Sequence, residues 1–573
     1  MIKDKISEVV NEALRKTGIK EKAELQHPTN PEHGDYSTSV ALKCSKQLNK
    51  TPLVLAQEIA KNINKNDILE KVEVLKPGFI NFWLSKKYLL EELNEIKKSA
   101  NKYGNSSALK SKKIIVEFTD PNPFKEFHVG HLYSNIVGES LARLFESQGA
   151  ILKRANYQGD VGLHVAKAIW GMQQKMQKEK LTLEQLSKKT LEERINFMGS
   201  AYALGTTSYE TDKQAKTEIT LLNKKIYDLD PTIKNLYERG RQWSLDYFEQ
   251  IYSRLGTKFD FYYFEQEVGK KGLEIVKQFL KKNIFTESKG AVIFKGEKYG
   301  LHTRVFINTL GLPTYEAKDL GLAIIKHHDF PYDLSIILTG SEIKEYFKVV
   351  LKALEIINPD LCKKTYHLTH GMVRLPEGKM SSRTGNIVTG VWLLDEAHKK
   401  AWNKIQETTK TKIEKSVAET VGAGAIKYAF LKNGIGKNIE FNLEESINFE
   451  GNSGPYLQYT FVRCQSLLKK AGTTNPTIKQ WDNGIINPEE NNLLRLLAKF
   501  PEVVAEACEK FSPNILCNYL FELAQAFNLF YQKHQILKAE EDVKNFRLML
   551  TIAVGQVIKN GLYLLGIGTV EQM

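Results

Sequence analysis

Ile114-Ile115-Val116-Glu117-Phe118 runs into Thr119-Asp120-Pro121-Asn122-Pro123-Phe124-Lys125-Glu126-Phe127 and then His128-Val129-Gly130-His131, and no other stretch narrows the fold so tightly. Residues 112–118 carry the β-branched and aromatic side chains of a buried strand. The two prolines that follow exclude regular structure for several residues. Helical periodicity resumes at Leu132, with Ile136, Val137, Leu141, Leu144 and Phe145 on one face. Two histidines and a glycine thus stand where a strand passes into a helix, where free N–H groups and the helix dipole favour an anion such as phosphate. Gly130 lets a flat ring approach the backbone. A structural turn with solvated histidines would satisfy the same residues, and four-residue motifs also arise by chance.

A chain of 573 residues exceeds one domain; its length suggests about three or four. The formal charge of +14, from 81 Lys+Arg against 67 Asp+Glu, suits a polyanionic partner. The five cysteines are scattered without a C-x-x-C pair, which speaks against a disulfide framework or a thiolate zinc site and for a reducing compartment. The start, Met1-Ile2-Lys3-Asp4-Lys5, is too charged for a signal peptide. No run of about 18 apolar residues exists to span a membrane. A soluble, multidomain, cytoplasmic protein with no membrane partner and no protein-held metal is expected.

Residues 1–105 read as a small α+β domain, with helices over 2–16 and 52–64 and strands over 72–74 and 79–84. Residues 27–37 between them read as a polar loop tied by Asx turns, without chemistry. Residues 106–390 mix strand and helix patterns, as a parallel sheet with crossover helices requires. A second strand is expected over 150–156, and further strands of that sheet over 259–264, 292–294 and 335–339. Charged, helix-favouring sequence over 172–258 reads as an insertion between the two halves of the sheet. Long helical patterns dominate thereafter, a connecting region over 391–450 and an all-helical part over 451–573.

A second candidate for phosphate is the glycine-bounded basic loop 371–386, where Lys379 and Arg383 flank Met380, Ser381 and Ser382. Such a loop could close on a triphosphate and offset charge developing at phosphorus; a solvated surface loop fits as well. The order favours the first reading, with histidines after the first strand and this loop at the end of the sheet.

The pair His128-Val129-Gly130-His131 and Lys379-Met380-Ser381-Ser382-Arg383 resembles the two signatures of class I aminoacyl-tRNA synthetases. Residues 121–131, 157–162, 313–319 and 371–386, with 33–36 and 78–82 before them and 454–459 after, are similar in type and order to the arginyl-tRNA synthetase family. The resemblance implies a multidomain α/β protein: a Rossmann-like catalytic domain with a helical insertion, an N-terminal tRNA-binding α+β domain and a C-terminal all-α anticodon-binding bundle. It implies that His128, Gly130, His131, Lys379, Met380 and Ser381 bind ATP, with Lys379 steadying the pyrophosphate. Ser382 stands where the generic signature has a second lysine, and Lys125 is the family's compensating charge. Lys125, His128, His131 and Lys379 are therefore the expected catalytic residues.

For arginine, Tyr315 and Asp319 are spaced to share one helix face, and a carboxylate there could grip a guanidinium bidentately. The resemblance adds Glu265 as a second carboxylate and Asn122 for the α-amino group. Asp160 and His164 are expected to line the pocket, His164 replacing a glutamine common in the family. A site that pairs a buried polar group rejects analogues lacking it by roughly 10⁴–10⁵, so no editing domain is required. The expected substrates are ATP with Mg²⁺, L-arginine and its cognate tRNA, and the expected working unit is a monomer. Most of Tyr456, Tyr459, Phe461, Tyr519, Phe527, Phe530 and Tyr531 read as core, the remainder as platforms for unpaired tRNA bases. The competing readings are another class I synthetase, such as one for lysine, and a catalytically silent RNA-binding relative.

Overall fold

Ile114, Ile115 and Val116 are all buried, and a strand covered on both faces belongs in the middle of a parallel sheet. In the computed structural model, which describes residues 2–64, 66–374, 388–408, 414–472, 476 and 486–573, they form β1 (Lys113–Glu117). It lies between β2 (Ile151–Gln158) and β4 (Leu334–Gly340), with β3 (Phe261–Phe264) outside β2 and β5 (Thr365–His370) outside β4. All four pairings are parallel, in the order β5-β4-β1-β2-β3. The strand order reverses between β1 and β4, so the crevice beyond their carboxyl ends is a topological switch point, where such sheets bind ligands.

Two departures from the sequence reading concern strands. The strand expected at 292–294 forms (Ala291–Phe294), but it joins Thr286–Ser288 and Arg304–Ile307 in a separate antiparallel sheet. The cause is local: Lys289 and Gly290 both have positive φ, 49° and 78°, the backbone of a two-residue hairpin. Strand β5 was missed because Thr-Tyr-His-Leu-Thr-His carries little apolar signal, as an edge position permits.

Helix α1 (Val129–Ser147) starts at Val129 rather than Leu132, its first turn being occupied by the polar signature. The insertion packs helices Leu163–Lys178, Leu191–Thr211, Lys213–Tyr227 and α2 (Pro231–Leu255) around Met172, Ile219 and Trp243. Helices α3 (Glu265–Leu280) and α4 (Tyr315–Asp329) touch backbone to backbone, since a Cβ on Gly272 would lie 2.1 Å from the Ala317 carbonyl oxygen. Helix α5 (Lys344–Ile357) joins β4 to the short helix preceding β5.

Segment 27–37 keeps the expected Asx turn, the Glu32 amide donating to Asn30 Oδ1 (3.0 Å), but it ends in an unexpected buried strand, Tyr36–Thr38, paired with Phe79–Leu84. It docks on the C-terminal bundle built of Gly454–Ala471, Pro488–Glu509, Pro513–Lys533 and Glu541–Leu564. Glu502 accepts hydrogen bonds from the Tyr36 hydroxyl (2.7 Å) and the Lys3 amide (3.0 Å), and His27 Nε2 lies 3.1 Å from it. Arg495 faces Asp35 at 3.4 Å. Among the described residues, no helix is long and apolar enough to cross a membrane.

Candidate active site

The turn after β1 holds three non-glycine residues in the left-handed region, Thr119, Asp120 and Phe124, with φ of 80°, 46° and 65°. Each such residue costs about 1–3 kcal/mol and persists only where its surroundings over-determine it. The surroundings do so here. The Thr119 amide donates to Ser134 Oγ (2.9 Å), and Asn135 Nδ2 donates to Thr119 Oγ1 (3.0 Å). Asp120 accepts from the Tyr157 amide (2.8 Å), and the Phe124 amide donates to Ser244 Oγ on α2 (3.0 Å). The Phe124 ring rests on Gly240 of α2, where a Cβ would come within 2.4 Å of it.

His128 caps α1, its Nδ1 accepting from the Gly130 amide (3.1 Å), while His131 Nδ1 accepts from the His128 amide (3.2 Å). With both Nδ1 atoms acting as acceptors, each neutral ring carries its proton on Nε2. The rings stack 3.6 Å apart. Burial, then the charge of Lys125, lowers the His128 pKa; burial, then His128 and Lys125, holds His131 well below the usual imidazole range. The pair is therefore a twin set of neutral donors at a helix N-terminus. Lys125 lies 5.7 Å over the Tyr202 ring, its own pKa lowered chiefly by burial.

Lys379, Met380 and Ser381 fall within 375–387, outside the described residues. The chain leaving that segment returns to the first signature: the Val129 amide donates to the Val388 carbonyl (3.2 Å) and the Gly390 amide to the Phe127 carbonyl (2.7 Å).

The residues expected around arginine converge beside this turn. A Cβ on Gly159 would lie 2.2 Å from Asn122 Oδ1 and 3.1 Å from Glu265 Oε1, so both side chains press on a bare backbone. His164 is buried, and its Nε2 donates to the Gly159 carbonyl (2.8 Å); burial, then Lys125, pushes its pKa down to about 3, so it acts as a neutral strut. Gly159→Ala should therefore turn Asn122 away; with Asn122 in the α-amino role that the resemblance implies, the KM for arginine rises by about tenfold, the loss of one ordinary hydrogen bond. Steady-state exchange kinetics at fixed ATP would show it.

Asp160 is fully buried and already satisfied, by Arg241 (3.0 Å), the Tyr237 hydroxyl (3.1 Å) and the Gln266 amide (3.0 Å). It braces the insertion against α3. Glu265 is taken by Lys318 at 2.5 Å, a pairing that sequence reasoning missed although Lys318 adjoins Asp319. Asp319 is half-buried and accepts from the Tyr346 hydroxyl of α5, a contact without sequence signal. Tyr315 is exposed on the same face. Beneath them Glu117 of β1 pairs with Lys326 of α4, both buried.

Three family models match successive parts of the chain: "Arginyl tRNA synthetase N terminal domain" over residues 1–84, "tRNA synthetases class I (R), catalytic domain" over 92–443 and "DALR anticodon binding domain" over 457–573. An arginine–tRNA ligase of Clostridium perfringens is 32% identical over 557 residues, covering 96% of each chain. Another, of Clostridium acetobutylicum, is 31% identical over 582 residues, covering 100% of this chain and 99% of its own. The solved structure of the Thermus thermophilus arginyl-tRNA synthetase shares the fold with a TM-score of 0.83 at 24% identity, over the whole of both chains. The chain belongs to the arginyl-tRNA synthetase family, class I aminoacyl-tRNA ligases that charge tRNA with arginine.

Proposed function

We propose that the switch-point crevice holds ATP on the His128–His131 side and L-arginine on the Asn122–Asp319 side, the arginine carboxylate attacking the α-phosphate. Arginyl-adenylate and pyrophosphate result, and the 2′-hydroxyl of the terminal tRNA ribose then takes the arginyl group. The observation that carries this reading is the convergence of Asn122 and Glu265 on Gly159, beside two neutral histidine donors at the end of one turn. ATP is taken as its Mg²⁺ complex, the ion riding on the triphosphate. Asn122 orients the α-amino group, while Asp319, Glu265 and Tyr315 surround the guanidinium. Lys379, Met380 and Ser381 act on the ATP phosphates, Lys379 on the pyrophosphate, and Lys125 supplies the charge that Ser382 lacks. A single chain is taken as the working unit.

For the tRNA, a surface cluster on the bundle stands out. Phe461, Tyr519, Phe527 and Phe530 are buried, but Tyr459 and Tyr531 are exposed, with the Arg463 guanidinium 4.9 Å over one ring and 5.2 Å over the other. Aromatic rings alternating with a cation are a stacking platform for unpaired bases.

ATP–pyrophosphate exchange with arginine, with and without tRNA, tests the reaction. Exchange driven by lysine but not arginine would assign another amino acid, and absence of arginyl-tRNA at saturating substrates would leave an RNA-binding protein. Lys125→Ala should slow adenylate formation about 10²-fold, the effect of removing one electrostatic stabiliser, without changing tRNA affinity; a normal rate would remove its compensating role.

A further inference from the structure

The ion pairs around the guanidinium subsite leave one carboxyl unaccounted for. Glu265 of α3 is paired with Lys318, and Glu117 of β1 with Lys326. Each lysine on α4 is thus spent on a carboxylate of a neighbouring element, and Asp319 between them is left with a neutral partner, the Tyr346 hydroxyl. Among the described residues, its other neighbours supply no free cation. Asp120, beyond β1, is a further carboxyl held by a backbone amide, and Tyr157 of β2 and Tyr315 of α4 are neutral phenols. Arg304 lies over the Tyr346 ring at 5.6 Å and faces Glu316 at 3.5 Å. Ile337 of β4 and Thr365 of β5 line a small recess beside Asp319, together with Glu117 and Lys326. An unpaired carboxylate among other carboxylates is unfavourable, and a shared proton relieves it.

Resting on the assignment of Asp319 to the guanidinium, we propose that this subsite exchanges a proton for arginine: Asp319 is a carboxylic acid in the empty site and a carboxylate once a guanidinium lies against it. The O–H bond of the acid breaks, its proton passes to solvent, and two N–H···O⁻ contacts take its place. Tyr346 is a positioning residue, its hydroxyl favouring the ionised form and fixing the carboxyl plane. Burial raises the Asp319 pKa to about 8 in the empty site; the Tyr346 hydrogen bond and the charge of Lys326 oppose the rise, and the charges of Glu117 and Glu265 add to it, so the exchange operates at neutral pH. The site is then closest to neutral when empty, and a permanently charged ligand is required to displace the proton.

Calorimetric titration of the full chain with L-arginine, at pH 7 in phosphate and in Tris, counts the protons released. About one per arginine is expected, with Kd falling up to tenfold per unit from pH 6 and levelling near pH 8. A count near zero with a Kd independent of pH over that range would overturn the exchange while leaving the guanidinium assignment standing. Asp319→Asn binding arginine as tightly as the natural chain would overturn the assignment itself. In Tyr346→Phe the levelling point should move to higher pH; equal weakening at every pH would assign Tyr346 a purely structural part.

Discussion

Asp319→Ala is expected to raise the KM for arginine by roughly 30- to 4,000-fold, the loss of about 2–5 kcal/mol that follows removal of one partner from a desolvated charge pair. The KM for ATP should stay within about threefold. The size of the effect follows from the charge balance: Glu265, though it also borders the guanidinium, is neutralised by Lys318, and Glu117 by Lys326, so neither replaces the charge of Asp319. The truncation also strips the Tyr346 hydroxyl of its acceptor. Initial rates of pyrophosphate exchange against both substrates decide the matter, and parallel rises in both KM values would discredit the guanidinium assignment.

The second large effect belongs to His131. Its Nδ1 is engaged with the His128 amide, and Nε2–H has no partner among the described residues, so it can serve the site. His131→Asn retains an acceptor for the cap but has no donor at the Nε2 position. Adenylate formation should fall about 10²–10³-fold, the usual cost of losing one preorganised donor, while thermal stability stays within about 2 °C. A variant that melts early and recovers its rate on cooling would make the histidine a cap and nothing more. Both imidazoles titrate below their ordinary range, so neither should add a step to the rate profile between pH 8 and 7.

Much of this site was legible because its chemistry sits on one continuous segment. Ile114 to His131 announces a strand, a broken turn and a helix start through residue type alone. The spacing of Tyr315 and Asp319 likewise holds on α4. What escaped reading depends on partners distant in sequence. Lys318 is indistinguishable from a surface lysine until α3 brings Glu265 against it. Tyr346 becomes relevant only when β4 and α5 fold α4 into reach. Gly159 passes for an ordinary turn glycine, although two site residues press on its bare α-carbon. The strand at 292–294 was recognised by its apolar residues, but which sheet it joins is decided by the hairpin before it.

The seam at Glu502 has a consequence for biosynthesis. The Tyr36 hydroxyl and its acceptor are 466 residues apart. A ribosome adds about 5–20 residues per second, so the Tyr36 segment is made some 20–90 s, in round terms, before Glu502. During that interval its docking face is open to other chains. At this seam the waiting face presents a histidine, a tyrosine hydroxyl and Asp35, groups that water can satisfy until Glu502 and Arg495 arrive.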